Sequence, residues 1–119
     1  MSAEQTKGLI REGVERLQGE LPALRQLKLV IKLELRARGP DAPIWRVELP
    51  GPKVQRDPAG DARLEVSLPR SHFNELAREG RLRDWIDAYE RGHVKVAGDP
   101  AVMKLLANVI GRQRARTRV

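Results

Sequence analysis

Hydrophobic and polar positions alternate most cleanly between Leu27 and Arg36. Leu27, Leu29, Ile31, Leu33 and Leu35 share one face of an extended chain. Lys28, Lys32, Glu34 and Arg36 take the other face, interrupted only by Val30. A period of two with one apolar face predicts a strand buried on one side and solvated on the other, the usual state of an antiparallel strand. Arg38-Gly39-Pro40-Asp41-Ala42-Pro43 predicts a turn. The alternation resumes at Ile44-Trp45-Arg46-Val47-Glu48-Leu49, with Trp45, Val47 and Leu49 on one face. Pro50, Gly51 and Pro52 interrupt it, a short strand is expected from Lys53 to Arg56, and Asp57-Pro58-Ala59-Gly60 makes the next turn. Leu64, Val66 and Leu68 then alternate with Arg63, Glu65 and Ser67. The middle of the chain therefore reads as a strand meander with one apolar face.

Both ends carry helical spacing instead. Over residues 2–19, Leu9, Ile10, Val14 and Leu17 form one stripe, with Ser2 and Gln5 spaced as a capping box. Gly8 and Gly13 weaken this helix, so its stability must come from tertiary contact. Gly19 and Pro22 end it. After Pro69, Ser71 is expected to cap a short helix that carries Phe73, Leu76 and Ala77 and stops at Gly80. Leu82, Trp85, Ile86 and Tyr89 stripe the next helix, which stops at Gly92. A short strand is expected from His93 to Ala97, and Gly98 is expected to turn the chain. Asp99-Pro100 starts a last helix whose apolar face is Val102, Leu105, Leu106, Val109 and Ile110, with Gly111 as its stop. An amphipathic sheet needs a cover, and only the helices can supply one. The fold class is α+β, a mostly antiparallel sheet with its apolar face under helices.

The length of 119 residues suits one domain, and no linker divides it. Aromatics are only 3% of the chain, so the core must be aliphatic and nucleic-acid binding by base stacking is disfavoured. The net charge of +7 is uneven: Arg112, Arg114, Arg116 and Arg118 supply four of it, leaving +3 for the remainder. The expected organisation is a domain over 1–111 and a basic tail over 112–119, a solvated end or an anchor for transient contact with an anionic membrane surface. With no apolar leader or spanning run, a cytoplasmic protein is expected. The bias of Arg over Lys fits a GC-rich bacterial source.

No catalytic set is apparent, no enzyme is expected, and neither a cofactor nor a metal is implied. The chain has no cysteine, which removes disulfides and thiolate chemistry. His72 beside Ser71 reads as a surface residue at a helix start, and His93 as a loop residue without a second histidine at metal spacing. Asp84 and Asp87 share a helix face but stand among Arg83 and Arg91. Asp99 is explained as a helix cap, and the glycines form no phosphate loop.

From Asp61 to Ile110 the ordered set of elements resembles the sterol carrier protein-2 family. The match runs from a strand opened by Asp61 to a capped helix with Phe73 and Leu76, then Gly80 and an aromatic-bearing helix. It continues through Gly92-His93-Val94-Lys95-Val96-Ala97-Gly98-Asp99 into an amphipathic last helix. The alternation at 29–35 and the segment Ile44 to Leu49 fit the family's earlier strands. The resemblance implies a five-stranded sheet covered by helices, with an apolar tunnel that accepts sterols, fatty acids or acyl chains, and non-enzymatic binding or transfer. It implies that the lining comes from Phe73, Leu76, Trp85, Ile86, Tyr89, Val102, Met103, Leu106 and Ile110. The flexible thioether of Met103 suits an adaptable wall. The chain departs from the family in two places. It ends Thr117-Arg118-Val119, which does not match a peroxisomal signal, and it carries Tyr89-Glu90-Arg91 where an aromatic and Gln are common. The alternative expectation is a ligand-free interaction or dimerisation module of the same fold, with a homodimer as its product. Nucleic acid is the least favoured partner.

Overall fold

A sheet with one apolar face folds as a layer and needs cover on that face alone. The computed structural model describes residues 3–37 and 44–117 and contains such a layer. Five strands lie in the order β3-β2-β1-β4-β5. They are β1 (Leu29–Arg36), β2 (Ile44–Leu49), β3 (Lys53–Arg56), β4 (Leu64–Pro69) and β5 (Lys95–Gly98). Helix α1 (Ala3–Glu20) leads into a 3-10 turn at Pro22–Gln26, helices α2 (Arg70–Glu79) and α3 (Leu82–Glu90) follow β4, and α4 (Pro100–Thr117) follows β5. The expected α+β class and the mostly antiparallel, helix-covered sheet are what the chain adopts.

The first three strands form the expected meander. Strand β4 does not extend it. It crosses back to the far side of β1 and pairs there in parallel, Leu33 opposite Val66 and Leu35 opposite Leu68, while β5 returns antiparallel to β4. The crossover places the longest apolar strand, β1, at the centre. In the register of β1 with β2, Leu29, Ile31 and Leu33 oppose Leu49, Val47 and Trp45, so the apolar positions of both strands stack on one face. The other face carries charge: Arg46 binds Glu48 at 2.7 Å and Asp61 at 2.8 Å, and Lys32 lies 3.8 Å from Glu65. The Arg46 guanidinium holds the Asp61 carboxyl below its ordinary range.

Several ends differ from the sequence expectation. Helix α2 starts at Arg70, with Pro69 as its extended cap residue and no side-chain cap, so Ser71 is not the cap but an exposed helical position. Gly80 ends α2 in an extended conformation. Its requirement is space: a Cβ there would meet the Leu76 carbonyl oxygen at 2.5 Å. Gly92 does stop α3 in the left-handed region, at φ +80°. Strand β5 begins two residues later than expected, and Gly98 belongs to it, paired with Leu64. A Cβ at Gly98 would lie 2.4 Å from the Arg63 carbonyl oxygen. Gly111 does not stop α4, which continues to Thr117. The Arg-, Gln- and Ala-rich residues that follow propagate a helix well, and Gly111 needs no positive φ. The expected capping residue Ser2 and the turn at residues 38–43 lie outside the described residues.

The core sits between the sheet and helices α1 and α2. Leu35, Leu68 and Ala77 are fully buried, with Phe73, Trp45 and Val47 close to it. Gly13 explains its own presence here: a Cβ would stand 3.3 Å from the Ala77 Cβ, so the two small residues let α1 and α2 pack closely. Leu105, grouped by periodicity with the apolar face of α4, points outward and is 43% exposed. Replacing Leu35 with Ala is expected to cost about 2–5 kcal/mol of unfolding free energy. Replacing Leu105 with Ala should change it by less than about 0.5 kcal/mol. Urea unfolding of the two variants measures both.

Candidate functional site

The positions that point inward from the centre of a covered sheet should be its driest. Here they are not. Ile31 on β1 and Val66 on β4 face the helices from the two most central paired strands, yet both are only half-buried. The reason is a cavity of about 490 Å³ between the sheet and the helices. Its floor is Ile31, Leu33, Val47, Leu64, Val66 and Val96. Its walls come from α1 (Ile10, Gly13, Val14, Leu17), the 3-10 segment (Leu21, Leu24), α3 (Leu82, Trp85, Ile86) and α4 (Met103, Leu106, Val109, Ile110). Tyr89, Glu90, Ala107 and Gly111 also border it and are exposed, so the cavity reaches the surface between the end of α3 and the middle of α4. A volume of this size falls in the range of roughly 300–1,000 Å³ typical of small-molecule sites.

Of the nine residues expected to line a tunnel, seven border this cavity: Phe73, Trp85, Ile86, Tyr89, Met103, Leu106 and Ile110. Leu76 and Val102 do not. Val102 is buried in the core and Leu76 packs against that core. The sheet floor and the whole α1 contribution were not among the expected residues. The alternation of β1, β2 and β4 already marked the floor as an inward face. Nothing in the spacing of Ile10, Val14 and Leu17 indicated which part of the sheet they would cover.

Buried polar contacts hold α1 in place over the cavity. Gln18, a buried side chain, donates to the Pro50 carbonyl in the β2–β3 turn. Arg70 of α2 donates to the Thr6 hydroxyl at 2.6 Å. Glu20 accepts the Leu82 backbone N–H at 2.6 Å and so satisfies one open donor of α3. Phe73 and Trp85 meet edge-to-face with ring centroids 6.3 Å apart, which ties α2 to α3 at the cavity wall. Helix α4 begins as the sequence predicted: Asp99 accepts the Ala101 N–H at 2.8 Å, and its other oxygen pairs with Arg63 at 2.8 Å.

The groups weighed for catalysis have structural roles or stand apart. Asp84 accepts the Arg81 N–H at 2.8 Å and caps α3, so it is not free to work with Asp87. The two histidines, far apart in sequence, are brought together: the His72 and His93 rings stack with centroids 4.5 Å apart, tilted by 31°. Sequence spacing could not show this, because the contact joins α2 to the turn after α3. Among the described residues there is no cluster of three or more His, Asp or Glu side chains that could hold a metal. No described helix is long and apolar enough to cross a membrane.

Neither a protein-family model nor a curated protein matches this sequence. Solved structures do match the fold. A palmitated sterol carrier protein-2-like protein from Aedes aegypti superposes with a TM-score of 0.58 at 20% identity, over 85% of this chain and 93% of that one. The chain has the sterol carrier protein-2 fold. The apo sterol carrier protein 2 of Yarrowia lipolytica gives a TM-score of 0.58 at 22% identity, over 86% of this chain and 89% of that one. A ubiquinone synthesis protein of the sterol carrier protein-2 type gives 0.51 at 19% identity, over 96% of both chains. The sequence resemblance, most specific from Asp61 onward, thus extends at the level of fold across most of the chain. In this fold α4 is a wall of the cavity, so its N-terminal anchor matters to the site.

Arg63 and the Ala101 N–H hold the Asp99 carboxyl below its ordinary value. A lowered folded-state pKa adds stability that is complete above the unfolded value of about 3.9 and disappears as pH falls through the lowered one. Asp99→Asn should therefore flatten the acid limb of the stability curve relative to the unaltered chain below about pH 4. Paired urea titrations across that range check it, and identical limbs in both proteins would refute the assignment.

Proposed function

We propose that this protein binds a single apolar molecule of lipid or sterol size in the cavity between sheet and helices and acts as a non-enzymatic carrier. The observation that carries this reading is the half-buried state of Ile31 and Val66, inward-facing residues at the centre of the sheet. Apolar surface left uncovered in a core forgoes roughly 25 cal/mol for each Å². A ligand that fills the space recovers it. The reach of the cavity to the surface beside Tyr89 and Ala107 supplies an entry. The palmitated insect protein of the same fold supports acyl chains as one class of occupant. The residues proposed to contact it are Phe73, Trp85, Ile86, Tyr89, Met103, Leu106 and Ile110. The basic run of Arg112, Arg114, Arg116 and Arg118 suits transient contact with an anionic membrane surface during loading.

Met103 offers the test, since it borders the cavity and its replacement by Trp fills space without adding charge. Native mass spectrometry and displacement of the neutral dye Nile red by long-chain lipids are expected to show one apolar ligand per chain. Met103→Trp is expected to weaken that binding roughly tenfold or more. Its thermal midpoint should stay near that of the unaltered chain, because the added ring enters empty space. Unchanged binding in a folded Met103→Trp variant would remove the cavity as the site.

A second reading, a dimerisation module, draws on the exposure of Tyr89 at 49% and Leu105 at 43% on neighbouring helices. A concentration-independent monomer in sedimentation would eliminate it.

A further inference from the structure

The chain has two histidines and no cysteine, so its imidazoles are the side chains best suited to a borderline transition metal. They lie far apart in sequence, yet the fold brings both to one place, with ring centroids 4.5 Å apart and planes tilted by 31°. Neither ring borders the cavity. Phe73 and Val94, their next neighbours along the chain, both do. The contact therefore lies behind the cavity wall and joins two elements that build it.

Each imidazole is carried by backbone that is fixed without the help of the other. His72 sits in α2, beside the buried Phe73. The turn that carries His93 is folded onto the end of α3: the His93 N–H donates to the Ala88 carbonyl at 2.9 Å, and the Val94 N–H donates to the same oxygen at 3.3 Å. Two donors delivered in this way favour chelation, because the second nitrogen is already concentrated beside the first when an ion binds. His93 is exposed and His72 half-buried, so water has access to complete a coordination shell.

The stack is a resting arrangement and not a coordinated one. Metal–nitrogen bonds of about 2.0–2.1 Å hold two imidazole nitrogens roughly 3 Å apart with their lone pairs converging. The rings must hinge out of the stack to reach that geometry, a rotation about the broad terminal torsion of histidine. Two side-chain ligands also fall short of the four that close a structural zinc site. The net charge of +7 opposes the approach of a cation. The arrangement thus suits an open, reversible site and not a permanently loaded one. We propose that His72 and His93 form a two-imidazole site for a divalent transition metal of the Zn2+, Ni2+ and Cu2+ class, which clamps α2 to the turn between α3 and β5. A hard cation such as Mg2+, which prefers oxygen ligands, has no place there.

The test uses the full chain without an affinity tag, near neutral pH. Zn2+ is expected to bind one ion per chain in calorimetric titration and to raise the thermal midpoint by about 3 °C or more at saturating concentration, whereas Mg2+ leaves the midpoint unchanged. His72→Gln and His93→Gln should each weaken Zn2+ binding at least about tenfold, since losing either donor removes the chelate. Electron paramagnetic resonance of the unaltered chain with one equivalent of Cu2+ should show two imidazole nitrogens on the ion, a readout that does not depend on how either variant folds. A spectrum with a single imidazole nitrogen, or with none, overturns the inference. So does Zn2+ binding that survives unchanged in either folded variant. No binding of Zn2+ and no shift of the midpoint leaves the pair as an aromatic contact only.

Discussion

The structure depends on one constraint, a single sheet with one apolar face that must be kept from water. The opposite face, with Arg46, Glu48, Asp61, Lys32 and Glu65, is solvated by design of its residues and needs no partner layer. All cover therefore comes from one side. Helices α1 and α2 meet half of that demand by close packing, made possible by Gly13 against Ala77, and there Leu35 and Leu68 become fully dry. Helices α3 and α4, together with part of α1, meet the other half at a distance. They enclose Ile31, Val66 and Val96 without filling the space above them. The fold is thus a packed core and an unfilled one under the same roof.

An unfilled core is tolerable only if the roof does not collapse into it. Large-to-small changes in ordinary cores are costly because surroundings relax only in part. Here rigidity is supplied by polar contacts at the margins of the cavity and not across it. Gln18 to Pro50 fixes α1 on the sheet edge, Arg70 to Thr6 fixes it to α2, and Glu20 to Leu82 fixes its end to α3. Asp99 with Arg63 secures the start of α4 beside β4. The first three use a side chain to satisfy a partly buried group that would otherwise be left open, which is why such contacts define position more than they add net stability. The interior they frame is almost wholly apolar, with Tyr89 and Glu90 at its rim.

Among the described residues, the groups weighed for catalysis are engaged elsewhere or stand apart. Asp84 and Asp99 are consumed at helix starts. The histidines meet each other, with no acid or third ligand completing the set among the described residues. Ser71 lies exposed on α2. None of these five residues borders the apolar cavity.

Much of this was legible locally. The period-two face of Leu29, Ile31, Leu33 and Leu35 determined the strand and its buried side, because side-chain direction alternates by geometry alone. Asp99-Pro100 determined a helix start, since a capping acid and a residue without an N–H satisfy the same open backbone ends. Glycine was less readable: Gly92 stops a helix, Gly111 lies within one, and Gly13, Gly80 and Gly98 are there for close approach. Those roles depend on a neighbour that is distant in sequence or on the path of the following chain. The parallel pairing of β4 with β1, the stacking of His72 on His93 and the place of α1 over the sheet are likewise non-local. The cavity is the clearest case. The same apolar stripes on α1, α3 and α4 would suit a solid core or a hollow one. Only the distances between helices and sheet, set by contacts at their ends, decided that the space stays open.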